Sequence, residues 1–115
     1  MLTHFVKNLL GANAVASLPR ACADVWASWL VPFPGEHPCG RDPGYEDAFF
    51  ELKDEAAKLT GIDDALIVRS CEQLITGTGK DLRVASHYTF ARLRQHGPAG
   101  FADGLELIAT LVERF

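Results

Sequence analysis

Apolar residues recur at helical spacing along most of this chain, and no segment alternates apolar and polar residues as a half-buried strand does. The last stretch is the most regular, with apolar residues at intervals of 4, 3, 4 and 3: Phe101, Leu105, Ile108, Val112 and Phe115, with Leu111 beside them. Because 48% of the 115 residues are apolar, such stripes can form a core. We therefore predict an all-α bundle of five to six helices with short loops.

Three further helices are predicted before the last one. The first covers residues 45–59, the second follows a cap at Asp63 or Asp64, and the third runs from an N-cap at Asp81 to about Gln95. Their buried faces are predicted to contain Phe49, Leu52, Ala56 and Leu59 in the first, Leu66, Ile67, Cys71, Leu74 and Ile75 in the second, and Leu82, Ala85, Tyr88 and Leu93 in the third.

A segment rich in proline and glycine divides the chain. Residues 31–44 contain four prolines and three glycines, and proline ends a helix because it lacks the amide donor. Before it, one helix is predicted over residues 2–10 and a second, of about three turns, ends near Leu30. We therefore expect an N-terminal helical extension over residues 1–31 and a helical domain over residues 32–115. The apolar face of residues 2–10 leaves three alternatives open: burial on the domain's own core, a dimer contact, or contact with a membrane surface.

The charge balance and the cysteines exclude several classes of protein. A net charge of −4 disfavours a nucleic-acid binder that relies on a general basic field, and no apolar stretch approaches the length that spans a bilayer. The odd number of cysteines (Cys22, Cys39 and Cys71) is a poor disulfide framework, and neither cysteine nor histidine spacing predicts a zinc site. We expect a cytoplasmic protein that neither inserts into membranes nor binds nucleic acid.

Basic residues gather in the third helix of the domain. Residues 80–96 contain Lys80, Arg83, Arg92 and Arg94 against a single acid, whereas residues 36–64 have a net charge of −6. One interpretation is a pair of oppositely charged faces that help neighbouring helices to dock. The other is a partner-binding face at Arg92 and Arg94, because complementary fields steer association.

Candidate catalytic motifs fail on their spacing. The run Thr76–Asp81 lacks the first glycine and the final Ser or Thr of a phosphate-binding loop, and a helix precedes it instead of a strand. We therefore predict no catalytic, cofactor-binding or metal-binding residues. The alternative is a small helical enzyme or ligand-binding module, whose cleft would gather His87, Cys71 or several carboxylates.

Three sequence blocks, in order, carry a resemblance to a known family. They are Pro38-Cys39-Gly40-Arg41-Asp42 with Tyr45, Phe49 and Leu52; Lys80-Asp81-Leu82-Arg83-Val84-Ala85; and Gly97 to Leu105, continuing into Leu111 to Phe115. With these blocks, the stretch from Pro34 to Phe115 resembles the N-terminal domain of the ImpA/TssA family of bacterial type VI secretion.

The resemblance implies a non-enzymatic, cytoplasmic assembly factor without a cofactor. Such proteins oligomerise through other regions and connect the baseplate and the membrane complex with the tail tube and sheath. This domain would be a docking module for other secretion-system proteins, and homo-oligomerisation stays open. The family-motif residues, structural or docking, are Pro38, Cys39, Gly40, Asp42, Lys80, Asp81, Leu82, Arg83, Gly97, Gly100, Asp103 and Gly104.

The motif residues also have physical roles of their own. Asp81 suits an N-cap, and the three glycines of the last block suit a tight turn and a close approach of helices. We expect Arg83 and Asp103 to form a structural ion pair that links the last two helices to the loop Pro38–Asp42. The alternative is that the three blocks specify the fold and make no contact with a partner.

Overall fold

The computed structural model of the protein describes residues 26–115. This part of the chain forms four α-helices and two short 3₁₀ turns: a turn at Ser28–Leu30, a turn at Pro43–Tyr45, α1 (Asp47–Ala56), α2 (Asp64–Gly77), α3 (Leu82–His96) and α4 (Pro98–Arg114). The described residues contain no strand, which confirms the all-α prediction for them. The predicted helix over residues 2–10 and most of the next one lie outside the described residues, so the predicted number of helices stays untested there.

Aspartate side chains begin the two central helices. Asp63 Oδ1 accepts a hydrogen bond from the Leu66 amide at 3.1 Å. Asp81 Oδ1 accepts from the amides of Arg83 at 2.8 Å and Val84 at 3.3 Å. Each carboxylate satisfies amide groups that have no partner inside the helix. The predicted caps of α2 and α3 are therefore confirmed.

The helices follow one another around a single core. Consecutive helices pack together, and α3 makes its most extensive contact with α4. Before α1, Trp29 packs edge-on against Tyr88 with ring centroids 5.0 Å apart, and Trp26 Nε1 donates a hydrogen bond to the Tyr88 hydroxyl at 3.3 Å. The core cluster consists of Trp26, Trp29, Leu30, Phe49, Leu52, Ile67, Cys71, Leu74, Ile75, Val84, Ala85, Tyr88, Ala91, Leu107 and Leu111.

Two glycines allow α4 to lie directly on α3. A Cβ atom at Gly100 would lie 2.0 Å from the Arg92 carbonyl oxygen, and one at Gly104 would lie 2.4 Å from Thr89 Oγ1. Only glycine fits at such distances. Gly97, with a φ of +66°, provides the turn between the two helices, and Pro98 begins α4.

Several predicted core residues lie at the surface. Leu59 is 99% exposed because α1 ends at Ala56. Leu82 and Leu93 are also exposed, because small residues, among them Ala85 and Ala91, take the interior positions of α3 where neighbouring helices come close.

The side of α4 that faces the core is shifted by one position along the sequence from the predicted stripe. Leu107 and Leu111 are buried, whereas Val112 is 45% exposed and Leu105 is only partly buried. The hydrophobic pattern misses this side because two of its positions are glycines.

The segment rich in proline and glycine is fastened to the domain. The Arg41 amide donates to the Thr78 carbonyl at 2.9 Å, and the Lys80 amide donates to the Cys39 carbonyl at 2.7 Å. A Cβ atom at Gly79 would lie 2.0 Å from the Arg41 carbonyl oxygen. The two backbone segments therefore come together only because Gly79 has no side chain. None of the helices in residues 26–115 combines the length and the apolar character needed to cross a bilayer.

Candidate functional site

The three motif blocks of the sequence meet at one end of the domain. The loop that contains Cys39 and Asp42 runs beside the residues that lead into α3, and Cys39 Sγ lies 3.8 Å from the carbonyl oxygen of Phe115. We call this meeting point the motif junction: Cys39, Asp42, Lys80, Asp81 and Arg83. It joins the loop before α1, the start of α3 and the end of α4.

Lys80 holds the inner part of the motif junction. Its Nζ donates a hydrogen bond to the Ile75 carbonyl oxygen at 2.9 Å. The same ammonium lies 4.8 Å from the ring centroid of Phe33 and 5.8 Å from that of Phe115. Burial lowers the pKa of Lys80. With its charge placed on two aromatic faces and a carbonyl, Lys80 ties the loop before α1 to the end of α2 and to the end of α4.

Arg83 forms the outer part of the motif junction. Its Nη2 lies 2.7 Å from Asp42 Oδ1 and 2.8 Å from Asp81 Oδ2, and its Cζ lies 4.9 Å from the ring centroid of Phe49. Hydrogen bonds first to Asp81 and then to Asp42 raise the pKa of Arg83. Arg83 therefore links the first motif block to the second.

Asp81 combines its cap with this ion pair. Burial by itself opposes ionisation of Asp81, but the hydrogen bonds from the Arg83 side chain and from the amides of Arg83 and Val84 outweigh it, so the pKa of Asp81 is lowered. The charged carboxylate is thus the form that the folded domain favours.

Arg83 and Asp103, which we expected to pair with one another, take part in two separate ion pairs. Arg83 reaches the loop at Asp42, as described above, whereas Asp103 Oδ2 lies 3.9 Å from Arg92 Nη2. The first of these pairs links α3 to the loop. The second links α3 to α4, next to the close approach at Gly100.

The two arginines of the predicted partner face lie on different sides of α3. Arg92 pairs with Asp103 on α4, and Arg94 Nε lies 2.7 Å from Asp64 Oδ1 at the start of α2. Their side chains keep exposed fractions of 25% and 37%. Both arginines connect helices within the domain, and their contact with a partner stays a prediction.

One face of α3 instead presents large apolar side chains to the solvent. Phe90 is 54% exposed, Leu82 46% and Leu93 37%. Because these residues are spaced by eight and three positions, they lie along one side of the helix. We call them the α3 apolar face. Sequence reasoning placed Leu82 and Leu93 in the core and missed Phe90; the signal was present as a second apolar stripe on the same helix.

The two side chains of the enzyme alternative have ordinary structural environments. Cys71 is fully buried, and its Sγ donates a hydrogen bond to the Val84 carbonyl at 3.3 Å. Burial raises the pKa of the Cys71 thiol to about 12, so the nucleophilic thiolate is scarce at neutral pH. The half-buried His87 has a pKa lowered by burial and then by Arg94 and Lys53. Residues 26–115 contain no group of three or more His, Cys, Asp or Glu side chains arranged to hold a metal ion.

Comparison with known proteins gives one family. A family model described as ImpA, N-terminal, type VI secretion system, matches residues 30–115. It represents a secretion-system structural domain and not a known enzyme family. Searches of curated proteins and of solved structures found no match. The matched residues include all three motif blocks and the four helices described above. The chain therefore belongs to the ImpA N-terminal family of type VI secretion system proteins.

Proposed function

We propose that this domain is a cytoplasmic, non-enzymatic docking module that binds another protein of the type VI secretion system through the α3 apolar face. The observation that carries the proposal is the exposure of Leu82, Phe90 and Leu93 on one side of a single helix. Single exposed apolar residues are ordinary, but a row of large ones on a rigid element is typical of a protein-binding surface.

The charges around this face indicate the chemistry of the partner. Arg83 and Arg94 flank the α3 apolar face, since Arg94 lies one turn beyond Phe90 and Arg83 lies two turns before it. Their guanidinium groups are already held by aspartates, but both side chains remain more than one third exposed. A partner segment with apolar anchors and acidic residues beside them would complement both features.

The rest of the domain supports docking by its rigidity. The motif junction joins the loop before α1 to α3 and α4 through backbone hydrogen bonds and through Lys80 and Arg83. A surface held by such contacts binds a partner without the entropic cost of ordering it first. We infer that the family-motif residues other than Leu82 hold the α3 apolar face in place and that this face, which includes Leu82, makes the contact.

A capture experiment tests this proposal. The chain would be immobilised and exposed separately to baseplate, sheath, tube and membrane-complex components of the secretion system. We expect one of these components to bind the wild-type chain. We expect this binding to be lost with Phe90→Asp and with Leu93→Asp. The matched control is Leu59→Asp, because Leu59 is also an exposed leucine but lies beyond the end of α1.

Charge reversal separates the apolar face from the basic residues of the same helix. Arg94→Glu should weaken capture moderately, because Arg94 only borders the α3 apolar face. Arg92→Glu should have less effect, since Arg92 lies towards α4. Capture that survives both apolar substitutions but is lost with the two reversals would show that the basic face, and not the apolar one, is the docking surface.

A further inference from the structure

Close contacts fix which sides of α3 and α4 face each other. Gly100 approaches Arg92 and Gly104 approaches Thr89, so the two helices run antiparallel. Each residue turns a helix by about 100°, and positions counted from Thr89 and from Gly104 therefore define two sides of the contact. The ion pair between Arg92 and Asp103 lies on one of these sides. The other side is made by the residues that turn the opposite way on both helices.

This other side is almost entirely apolar. Phe90 directly follows Thr89 and Leu105 directly follows Gly104, so both turn towards it by about 100°. The remaining positions turn towards it by smaller angles: Leu82, Ser86 and Leu93 on α3, and Phe101, Ile108 and Val112 on α4. We call these eight residues the α3–α4 surface. None of them is fully buried, and Val112 is 45% exposed.

The polar member of this surface has its hydroxyl group satisfied. Ser86 Oγ donates a hydrogen bond to the Leu82 carbonyl oxygen at 2.8 Å, within α3. An apolar partner could therefore cover the surface without leaving this donor unpaired.

The α4 half of the surface is the regular apolar repeat that the sequence assigns to the core. The core instead takes Leu107 and Leu111 on the neighbouring side of α4. The repeat thus remains as a second apolar stripe, beside the α3 apolar face. Two apolar stripes on adjacent antiparallel helices form a shallow groove between the helices.

We propose that the α3–α4 surface binds one amphipathic helix of the partner, which lies along the groove between α3 and α4. The inference rests on the proposed docking function, and it adds the structure of the partner segment and the contribution of α4. Residues 26–115 contain no strand whose edge could pair with an extended segment. A partner segment on this apolar surface must therefore satisfy its own backbone groups, and a helix does so.

The dimensions of the groove determine the length of the partner helix. The 17 residues of α4 extend over about 25 Å. A partner helix of about four to five turns would cover this length. Its apolar side chains would recur at intervals of three and four residues, because this spacing places them on one face.

The charges beside the groove orient the partner helix. Arg83 and Arg94 turn slightly further from the contact with α4 than Phe90 does, so they lie along the edge next to α3. Both remain more than one third exposed beside their aspartate partners. The partner helix should therefore carry Asp or Glu residues along this edge.

Binding of the full chain to the secretion-system component that it captures tests the inference. Val112→Asp should reduce the affinity at least about tenfold, because it places a charge in the apolar α4 half of the groove. Val112→Leu should keep the affinity of the wild type. The matched control is Ala99→Asp, since Ala99 is an exposed residue that turns to the other side of α4.

The outcomes separate this inference from the docking function. Loss of binding with Phe90→Asp but wild-type affinity with Val112→Asp would overturn the helix in the groove and leave docking through the α3 apolar face intact. Capture of no component by the wild-type chain would overturn both.

Photo-cross-linking gives a second readout, which does not depend on the stability of the Asp variants. The full chain would carry p-benzoylphenylalanine in place of Phe90 or of Val112, and the cross-linked residues of the captured component would be mapped by mass spectrometry. We expect these residues to be three, four, seven or eight positions apart, with Asp or Glu beside those reached from position 90. Cross-links to alternate residues would indicate an extended segment and overturn the inference, as would cross-links confined to copies of this chain.

Discussion

Arg83 Nη2 lies 2.7 Å from Asp42 Oδ1, although 41 positions of the sequence separate the two residues. Asp42 Oδ1 also accepts a hydrogen bond from the Gly44 amide at 2.8 Å, which shapes the turn before α1. One carboxylate thus connects a turn in the first motif block with a helix start in the second. This relationship explains why an acid in one block and a base in the other belong to the same structural unit.

Asp81 should contribute to stability mainly as the N-cap of α3. Asp81→Ala removes the acceptor for the amides of Arg83 and Val84, and we expect it to lower the free energy of unfolding by about 1 kcal/mol. Asp81→Asn keeps a capping side chain but loses the charge next to Arg83. The free energy of unfolding measured in urea should therefore be highest for the wild type, lower for Asp81→Asn and lowest for Asp81→Ala. Equal losses of this free energy in both variants would show that the cap contributes nothing.

Gly79 should tolerate no side chain. Gly79→Ala places a Cβ atom 2.0 Å from the Arg41 carbonyl oxygen, so the loop must move and the free energy of unfolding should fall by about 1–3 kcal/mol. Gly77→Ala is the matched control, because a Cβ atom at Gly77 would meet nothing within 4 Å. Thermal melting of the two variants checks this. A Gly79→Ala protein as stable as the control would contradict the close approach.

The two described cysteines should differ sharply in reactivity. Cys39 is exposed and Cys71 is buried. Iodoacetamide at about pH 8, followed by peptide mass spectrometry, should modify Cys39 in the folded protein and Cys71 only after unfolding. Rapid modification of Cys71 in the native protein would contradict its burial.

The raised pKa of Cys71 also predicts a loss of stability in alkali. The folded state holds the thiol protonated, with a pKa of about 12 against 9.0 for the free group. The contribution of Cys71 to stability is therefore complete below about pH 9 and declines as the pH rises from there towards the folded pKa. The free energy of unfolding in urea, measured at increasing pH for the wild type and for Cys71→Ala, isolates this decline, because the variant has no thiol at this position to ionise.

Arg94 and Asp64 should show a modest favourable coupling. The pair joins α3 to the start of α2 at 2.7 Å, and both side chains are partly shielded from solvent. A double-mutant cycle with Arg94→Ala and Asp64→Ala should give a coupling free energy of about 0.5–1 kcal/mol that decreases with salt. A coupling of zero would show that the contact is a surface pairing without energetic effect.

The sequence predicts the parts of this fold that are determined by regularly spaced apolar side chains or by a capping side chain. In the predicted stripe of α2, Ile67, Cys71, Leu74 and Ile75 are buried and Leu66 is partly buried, and Asp63 and Asp81 begin their helices. In these places the residues that act together are close in the sequence, so their spacing alone identifies them.

The remainder depends on how the helices approach one another. The contact between α3 and α4 is made at glycines, which a hydrophobic pattern does not register. The exposure of Phe90 and Leu93 follows from that contact, because it turns another side of α3 towards the core. The partners of Arg83 and Asp103 likewise depend on distances across the fold, which residue types in separate motifs do not specify.

Calorimetric titration of the chain with the secretion-system component that it captures tests the docking role most directly. Docking through the α3 apolar face predicts a negative heat-capacity change, weak dependence on salt between about 50 and 300 mM, and an affinity reduced at least about tenfold by Phe90→Asp but unaffected by Leu59→Asp. An affinity that is unchanged by Phe90→Asp and decreases steeply with salt would contradict it.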